Sequence, residues 1–333
     1  MSKRILIIAE AGVNHNGDIN LAKQLIEIAA DAGADVVKFQ TFNAARLILR
    51  NAIKADYQLK TSDSNETQFT MLSKLELTES MHHQLIAHCK LFNIGFLSTA
   101  FDIESVNLLV GLNQKLFKVP SGEITNLPYL RHIGKLNKKV ILSSGMSSIK
   151  EVKDAVKLLN SSGTSRNKIT VLHCTSEYPA PMNEVNLLAM QSISSDLGLE
   201  VGYSDHTIGI EVAIAAAAMG ASVIEKHFTI NRNLPGPDHQ ASLEPGELKD
   251  MIFAIRNIEI AMGDGVKDLS PSEVKNQPVI RKSLVALKAI EAGELFTNQN
   301  VTTKRPGTGI SPMRWDEFIG KPAQKNYKED DLI

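Results

Sequence analysis

Residues 4–42 read RILIIAEAGVNHNGDINLAKQLIEIAADAGADVVKFQTF, and this stretch carries the pattern that predicts the fold. It opens with one short apolar run and closes with another, and both are rich in the β-branched residues typical of buried strands. Between them, apolar residues at positions 21, 25, 28 and 29 follow helical spacing, and Gly33 is placed to end that helix. A strand, a helix and a second apolar strand predict parallel strands that are buried on both faces.

The same alternation continues to about residue 262, and we count eight strand–helix units along it. Eight units in about 250 residues predict a closed (β/α)8 TIM barrel. An open sheet of eight strands is the alternative. The second connection, from about Thr41 to Thr78, is long and polar in DSNETQ (63–68), so we expect a lid, a binding loop or a disordered segment there.

The pattern changes after residue 262, where MGDGVKDLSPSEVKNQP (262–278) is polar and contains Gly, Ser and Pro. The residues beyond it predict short strands and tight turns. We therefore predict a barrel over 1–264, a linker over 265–282 and a small domain over 283–333. That domain is too small for a large core of its own, so we expect it to pack on its own barrel or on a neighbouring subunit.

Composition narrows the class of protein. Hydrophobic content of 43% with 22% charged residues is typical of a soluble globular chain, and a net charge of −1 argues against a nucleic-acid or membrane partner. Cys89 and Cys174 form no CxxC motif, which fits free thiols in a reducing cytoplasm. The run ILIIA is cut short by Glu10, and the apolar stretch 212–224 is shorter than the roughly 20 residues of a membrane span. We expect a cytoplasmic protein.

Polar side chains end every predicted strand, on the side where a barrel of this kind carries its active site. In chain order they are Glu10, Asn14, His15, Lys38, Gln40, Ser98, Thr99, Lys118, Ser121, Glu123, Ser143, Ser144, His173, Thr175, Ser176, Tyr178, Ser204, Asp205, His206, Glu225, Lys226 and His227. Burying an unpaired polar group costs roughly 2–7 kcal/mol. These groups must therefore pair with one another, with water or with a ligand.

Two histidines end adjacent strands, His206 on the seventh and His227 on the eighth. Their imidazoles are expected within bridging distance, so the pair predicts an open site for a divalent ion such as Mn²⁺ or Mg²⁺. A role as structural hydrogen bonders is the alternative, and a closed zinc site is not supported because clustered cysteines are absent. Five other histidines are expected at the surface or at helix caps: His15, His82, His83, His88 and His132.

Lys38 and Lys118 lie inside apolar strands, where lysine is rarely left unpaired. They form either ion pairs with Glu10 or Glu123, or a cradle for an anionic substrate. The cradle is favoured by the nearby hydroxyls and glycines, namely Ser121, Ser143, Ser204, Gly122 and Gly145. In PGPDH (235–239), Asp238 is either a turn residue before the last barrel helix or a group that the turn delivers to the site.

Taken together, these motifs resemble the sialic acid synthase family. The resemblance rests on AEAGVNHNGD (9–18), VVKFQTF (36–42), KVPSGEITNLPYL (118–130), ILSSGM (141–146), LHCTSEYPAP (172–181), GYSDHT (202–207), IEKHFT (224–229) and GPDH (236–239). The tail SLVALKAIEAGELFTNQNVTTKRPGTGISPMRWDEFIGK (283–321) resembles the antifreeze-like (SAF) domain of that family. Within the family, the chain is most similar to the bacterial legionaminic acid synthases, with the N-acetylneuraminate synthases close behind.

The resemblance implies a reaction and an assembly. Phosphoenolpyruvate (PEP) condenses with an N-acylated mannose-type sugar to give a nine-carbon 2-keto acid and phosphate. A divalent metal, Mn²⁺ first and Mg²⁺ or Co²⁺ otherwise, would activate the sugar aldehyde. The family also implies a domain-swapped homodimer in which each SAF domain reaches over the partner's barrel.

The resemblance also implies roles for individual residues. His206 and His227 match the metal ligands, and Glu10 and Glu123 match the catalytic carboxylates. Seven positions match those that hold PEP: Lys38, Thr99, Lys118, Ser121, Ser143, Ser176 and Ser204. Four match positions around the sugar: Gln40, Tyr178, Asp238 and, from the SAF domain of the other subunit, Arg305.

Two positions depart from the neuraminate synthases. Ser176 stands where some of them have asparagine. Val279 stands near the position where they have an aromatic residue that contacts the sugar. The identity of the sugar at C4 and C6 therefore stays open, and so does the physiological metal.

Two other classes of protein fit part of the pattern. PEP-condensing synthases that act on phosphosugars share the barrel but do not need the module at 283–333. A non-catalytic sugar-binding or ice-binding protein could keep the SAF domain, but it would not need the lysines, acids and paired histidines at the strand ends.

We predict that Glu123→Gln loses turnover but still binds PEP, because a carboxylate near C2 of PEP would stabilise developing positive charge and handle a proton of the attacking water. The expected loss in kcat is roughly 10²–10⁴-fold. Steady-state kinetics together with PEP titration checks this, and an unchanged kcat would remove Glu123 from the mechanism.

Overall fold

The computed structural model describes residues 4–54 and 66–333. The chain divides into two compact units, Met1–Asp264 and Gly265–Ile333. Within the described residues the predicted long connection contains two short helices, and half of its polar DSNETQ stretch, residues 63–65, lies outside those residues.

Eight parallel strands form the sheet of the first unit. They are Leu6–Gly12 (β1), Val36–Thr41 (β2), Gly95–Ala100 (β3), Leu116–Val119 (β4), Lys139–Ser143 (β5), Ile169–Cys174 (β6), Glu200–Asp205 (β7) and Val223–His227 (β8). Their hydrogen-bonded order is β3-β2-β1-β8-β7-β6-β5-β4. Strands β3 and β4, at the two ends of this order, also lie side by side. The sheet is therefore a (β/α)8 barrel, as predicted, and not an open sheet.

Helices follow the strands and cover the barrel. They are Ile19–Asp31 (α1), Ala44–Leu47 (α2), Gln68–Ser73 (α3), Glu79–Leu91 (α4), Ile103–Gly111 (α5), Leu127–Lys135 (α6), Ile149–Ser162 (α7), Ala189–Leu197 (α8), Glu211–Ala218 (α9) and Pro245–Ala261 (α10). One-turn 3₁₀ helices occupy Ser121–Glu123, Arg166–Lys168, Met182–Glu184 and His239–Ala241.

Helix α1 shows how local sequence sets these elements. The side chain of Asp18 caps its first turn by accepting a hydrogen bond from Asn20 N, and Gly33 follows its end with φ of +86°. Its buried face is formed by Ala22, Leu25, Ile26 and Ala29. The helix was predicted in the right place, although it starts before residue 21 and is turned slightly from the predicted face.

Strand alternation separates two apolar layers. Ile8, Leu97, Ile141, Leu172 and Val223 form a cluster that draws on β1, β3, β5, β6 and β8. The alternate residues of the strands pack against the helices in the main core. Successive side chains of a strand point to opposite faces. The polar residues at the strand ends therefore also divide between the barrel interior and the layer that faces the helices.

The seam between β3 and β4 is bridged by a side chain. Among the described residues these two strands share no ladder, but the amide of Gln114 binds both backbone groups of Ser98. Its Oε1 accepts from Ser98 N at 2.9 Å, and its Nε2 donates to Ser98 O at 2.9 Å. Gln114 thus satisfies the edge of β3 in place of a neighbouring strand.

The second unit has its own small core. It contains Pro271–Ile280 (α11), the antiparallel pair Ser283–Ala286 (β9) and Val301–Lys304 (β10), and Trp315–Phe318 (α12). Leu284, Ala286, Ile290, Phe296, Val301 and Ala323 pack together within it. Helix α11 lies inside the stretch predicted as a linker, and Ser270 and Glu273 form a capping box at its start.

Within the described residues, no helix combines the length and the apolar character needed to cross a membrane.

We predict that Gln114→Ala lowers the free energy of unfolding of the barrel by about 1–3 kcal/mol, because it leaves two half-buried backbone groups of Ser98 without partners. Urea unfolding followed by circular dichroism measures this loss. Gln84→Ala is the matched control, since Gln84 is exposed and its side chain accepts a hydrogen bond from Lys23. Equal losses for the two variants would contradict a special role for Gln114.

Candidate active site

A pocket of about 480 Å³ opens at the carboxyl ends of the barrel strands. Its lining is Glu10, Lys38, Gln40, Thr99, Phe101, Lys118, Pro120, Ser121, Gly122, Ser143, Met146, Cys174, Ser176, Glu177, Tyr178, Ser204, His206, Glu225 and His227. Every barrel strand contributes at least one of these side chains. Twelve of the fifteen residues that the sequence assigned to the site are among them.

The other strand-end residues face away from the pocket because of the two-residue alternation. Ser98 bonds to Thr41 in the helix-facing layer, and Asp205 forms an ion pair with Lys226 there. The prediction that all strand-end polar groups converge was therefore too broad. Nine of the twenty-two lie outside the pocket lining.

Four buried charges form the floor of the pocket. Lys38 Nζ lies 3.1 Å from Glu10 Oε2 and 3.2 Å from Glu225 Oε2, and Lys118 Nζ lies 3.0 Å from Glu225 Oε1. All four side chains are at most 4% exposed. The two ammonium groups and two carboxylates balance in charge, which is the condition for keeping them out of water.

The four groups differ in how firmly each holds its proton. Burial raises the pKa of Glu10 to about 7, although Lys38 opposes the shift. Burial also acts to raise the pKa of Glu225, but Lys118 and Lys38 outweigh it and hold this pKa far below the usual range of a carboxyl. Glu225 is therefore a fixed anion, whereas Glu10 can gain or lose a proton near neutral pH.

The charge of the two lysines follows the same balance. Burial lowers the pKa of Lys38, yet Glu10 and Glu225 together raise it above its usual value. For Lys118 burial prevails, and its pKa is lowered despite Glu225. Lys38 is the firmly charged member, and the ammonium group of Lys118 gains from any further anion that enters the pocket.

Hydroxyl groups and one glycine form a small cradle beside Lys118. Gly145 N donates to Ser121 Oγ at 3.0 Å, and Ser121 Oγ lies 3.3 Å from Cys174 Sγ. A Cβ at Gly145 would stand 2.1 Å from Ser176 Oγ and 2.8 Å from Ser121 Oγ. Only glycine leaves this space open. Ser143 Oγ, also on the pocket wall, is buried and has no hydrogen-bond partner in the described part of the chain.

His206 and His227 stand together at the ends of β7 and β8. Their ring centroids are 5.5 Å apart. His206 Nδ1 lies 2.6 Å from Thr175 O, and because a carbonyl only accepts, this nitrogen carries the proton and Nε2 keeps its lone pair. His227 Nδ1 is buried without a hydrogen bond from any described residue.

This pair fits a divalent cation. Burial lowers the pKa of His206 to about 4 and that of His227 well below its usual value, so both rings are neutral, the form that binds metals. No group of three or more His, Cys, Asp or Glu residues in the described ranges could hold a metal ion. The two imidazoles thus fit an open site, in which water or substrate oxygens supply the remaining ligands.

Three of the predicted site residues do not line the pocket. Asp238 lies behind His227, with Oδ2 3.7 Å from His227 Nδ1, and burial raises the pKa of this carboxyl to about 6. Glu123 is buried and accepts a hydrogen bond from Asn126, and its pKa is raised first by burial. Arg305 belongs to the second unit, directly after β10.

The most important residue to which the sequence reasoning gave no role at the site is Glu225. It was counted only among the strand-end polar groups, and the ion pairs considered for Lys118 as the alternative to an anion cradle were with Glu10 or Glu123. In the structure Glu225 accepts from Lys118 and from Ser204. The signal was available in IEKHFT, because alternation puts Glu225 on the same face as His227 and turns Lys226 to the other.

Two histidine assignments were also wrong. His15 and His82 are buried rather than at the surface. His82 Nε2 lies 2.7 Å from Thr41 Oγ1 and its Nδ1 lies 2.8 Å from Thr78 O, so it joins the end of β2 to the start of α4. His15 Nδ1 accepts from Gly17 N within the β1–α1 turn. Neither position could be distinguished from a surface histidine by local sequence alone.

These features define the class: a (β/α)8-barrel protein whose strand ends enclose a polar pocket with two buried lysines and two histidines in its wall. Residues 25–267 match the NeuB family, and residues 281–333 match the SAF domain. The first match covers well over half of the chain, and the chain belongs to the NeuB family.

Relatives of known name extend over the whole chain. It is 61% identical to the N,N'-diacetyllegionaminic acid synthase of Campylobacter jejuni, over 99% of each chain. The enzyme of the same name from Legionella pneumophila is 43% identical over 98% of this chain and 92% of its own. A crystal structure of N-acetylneuraminic acid synthetase from Leptospira borgpetersenii with citrate superposes with a TM-score of 0.71. It is 33% identical and covers 82% of this chain and 90% of its own.

We predict that Gly145→Ala weakens PEP binding at least about tenfold, because the added methyl group displaces Ser121 and Ser176 from the cradle. Isothermal titration with PEP measures the affinity, and circular dichroism checks the fold. Gly111→Ala in α5 is the control, since a Cβ there meets nothing within 4 Å. If both variants bind PEP equally, the cradle is not part of the anion site.

Proposed function

We propose that the protein condenses PEP with 2,4-diacetamido-2,4,6-trideoxymannose to give N,N'-diacetyllegionaminate and phosphate. The observation that carries this is the 61% identity to the Campylobacter enzyme over 99% of each chain. The second candidate is condensation with N-acetylmannosamine to give N-acetylneuraminate. It is favoured by the fold match to the Leptospira synthetase.

Lys38 and Lys118 are the residues that we expect to bind the carboxylate and phosphate of PEP. Thr99 Oγ1 accepts from Lys38 Nζ at 3.0 Å and keeps this ammonium group aimed at the pocket. Ser121, Ser176 and the backbone N–H of Gly145 supply neutral groups beside Lys118, while Ser143 and Ser204 complete the wall. Because a further anion would stabilise the charged form of Lys118, bound PEP would offset the cost of removing this ammonium group from water.

A divalent cation held by His206 and His227, Mn²⁺ first and Mg²⁺ or Co²⁺ otherwise, would polarise the aldehyde oxygen of the open-chain sugar. Tyr178 packs on the His206 ring at a centroid distance of 4.2 Å and limits where that ring can move. We expect Gln40, on the pocket wall, and Asp238, which lies behind His227, to bind sugar hydroxyls.

The electron pair of the C2=C3 double bond of PEP joins C3 to the aldehyde carbon, the aldehyde oxygen becomes an alkoxide that takes up a proton, and positive charge is left at C2. Water then adds at C2 and gives up one proton. The bond from C2 to the phosphate oxygen breaks, phosphate leaves with that electron pair, and the hydroxyl that came from water loses its proton to become the ketone. Glu10 is suited to accept the water's proton, because its pKa of about 7 makes it a base and an acid at neutral pH. Glu225 stays ionised and offsets the charge at C2 at longer range.

Three further parts of the proposal concern the whole protein. The SAF domain is proposed to place Arg305 at the sugar's acyl group in the partner barrel of a homodimer. The protein is proposed to act in the cytoplasm, where PEP is made. Glu123 is retained as the second catalytic carboxylate, brought to the reacting carbons when substrates fill the pocket.

Phosphate release from PEP tests the reaction and the choice of sugar. The chain is assayed with Mn²⁺ and either sugar, with and without EDTA. We expect kcat/KM to be at least tenfold higher for the trideoxy sugar, about 1.4 kcal/mol in transition-state binding. EDTA should abolish turnover.

Each other outcome changes a stated part of the proposal. A reversed preference would make the chain an N-acetylneuraminate synthase. Turnover of a phosphosugar instead would move it to the other PEP-condensing synthases. EDTA-sensitive release with neither sugar would overturn the proposed activity and leave a sugar-binding role.

A further inference from the structure

An ion pair of unusual depth lies directly behind the two histidines. Asp205 and Lys226 face each other in register on β7 and β8, one residue before His206 and His227 respectively. Their side chains are 0% exposed, and Lys226 Nζ lies 2.8 Å from Asp205 Oδ2. Alternation turns the ion pair toward the helices, while His227 points into the pocket.

The ion pair holds the backbone of Thr207, the residue that follows His206, and Asp205 itself is the residue that precedes His206. Lys226 Nζ also donates to Thr207 O at 2.5 Å. Asp205 Oδ1 accepts from Thr207 N at 2.9 Å and from Thr207 Oγ1 at 2.7 Å. His206 therefore lies between two residues that one ammonium group and one carboxylate hold in place.

The imidazole of His206 is then oriented by one hydrogen bond of its ring and by packing against Tyr178. Its Nδ1 donates to Thr175 O at 2.6 Å, and its own carbonyl accepts from Ala180 N at 2.9 Å. If the backbone at 205–207 relaxes, the ring loses the geometry that keeps its proton on Nδ1. On the neighbouring strand, Lys226 precedes His227 directly, so the same pair also sets the spacing of the two rings.

Stability alone does not account for this arrangement. A buried ion pair contributes little net stability, because the cost of removing two charges from water offsets their attraction. Apolar residues of similar size would fill the space between strand and helix as well. Directed hydrogen bonds differ from apolar contacts in that they specify an orientation, and the groups oriented here are the two histidines.

We propose that Asp205 and Lys226 are positioning residues that hold the imidazoles of His206 and His227 at the separation and in the tautomer needed to bind a divalent cation. The cation itself rests on the proposed function. The arrangement of the rings does not, so the two can be tested apart.

The experiment compares full-length Asp205→Asn, Lys226→Met and Lys226→Arg with wild type. Mn²⁺ affinity is measured by electron paramagnetic resonance titration, and PEP affinity by calorimetry without metal. Long-range ¹H–¹⁵N spectra of the metal-free, ¹⁵N-histidine-labelled chain report the tautomer of His206, whose signals are assigned with His206→Gln. Asp35→Asn is the control, because Asp35 pairs with Arg256 before the start of β2, at the other end of the strands.

We expect Asp205→Asn and Lys226→Met to weaken Mn²⁺ binding about 10- to 100-fold, with PEP affinity unchanged. Their spectra should show a mixture of His206 tautomers, and Lys226→Arg should restore both the affinity and the single tautomer. Asp35→Asn should lose stability but keep wild-type Mn²⁺ affinity. If Asp205→Asn or Lys226→Met fails to fold, Thr207→Val replaces it, since this substitution removes only the hydroxyl that donates a hydrogen bond to Asp205.

Two results would overturn the inference. One is a single, wild-type His206 tautomer in every folded variant. The other is a loss of Mn²⁺ affinity in Asp35→Asn as large as in Asp205→Asn, which would reduce the effect to general stability. If wild type does not bind Mn²⁺, or His227→Ala binds it equally well, the proposed metal site fails, and the tautomer spectra alone decide the positioning role.

Discussion

The ion pair between Lys118 and Glu225 is the contact on which the site depends. Lys118 lies on β4 and Glu225 on β8, and three strands separate β4 from β8 in the hydrogen-bonded order. A 3.0 Å contact between them is therefore made across the barrel lumen. It requires the sheet to close, and once formed it links opposite walls of the barrel. Glu225 also reaches Lys38, so one carboxylate organises both cations.

Charge balance explains why so many ionised groups are tolerated there. Two ammonium groups and two carboxylates offset one another, but the balance is uneven in detail. Glu225 is held as an anion by both lysines, while Glu10 is left with a pKa of about 7. The same constraint that stabilises one carboxylate leaves the other free to exchange a proton, and this division of roles is what a condensation followed by water addition requires.

Alternation along the strands gives each strand end two tasks. Inward residues such as Ser204 and His227 line the pocket, and outward residues such as Asp205 and Thr41 form hydrogen bonds in the layer between strands and helices. A barrel offers this division at every strand, because neighbouring residues always face opposite layers. The floor of the pocket is consequently held by many contacts. Ser143 Oγ and one nitrogen of each imidazole keep hydrogen-bonding or lone-pair capacity that the described residues do not use.

The sequence by itself determined the eight strand–helix units, the change of pattern near residue 262 and most of the pocket lining, because these follow from local periodicity and from the rule that parallel strands end on one side. It also placed His206 and His227 together, since consecutive strands in such a barrel are neighbours. The tertiary structure alone decided that Lys118 pairs with Glu225 rather than with Glu10 or Glu123, and that His15 and His82 are buried. Those outcomes depend on distances across the lumen and between layers, which are set when the sheet closes and the helices pack, and no short-range pattern records them.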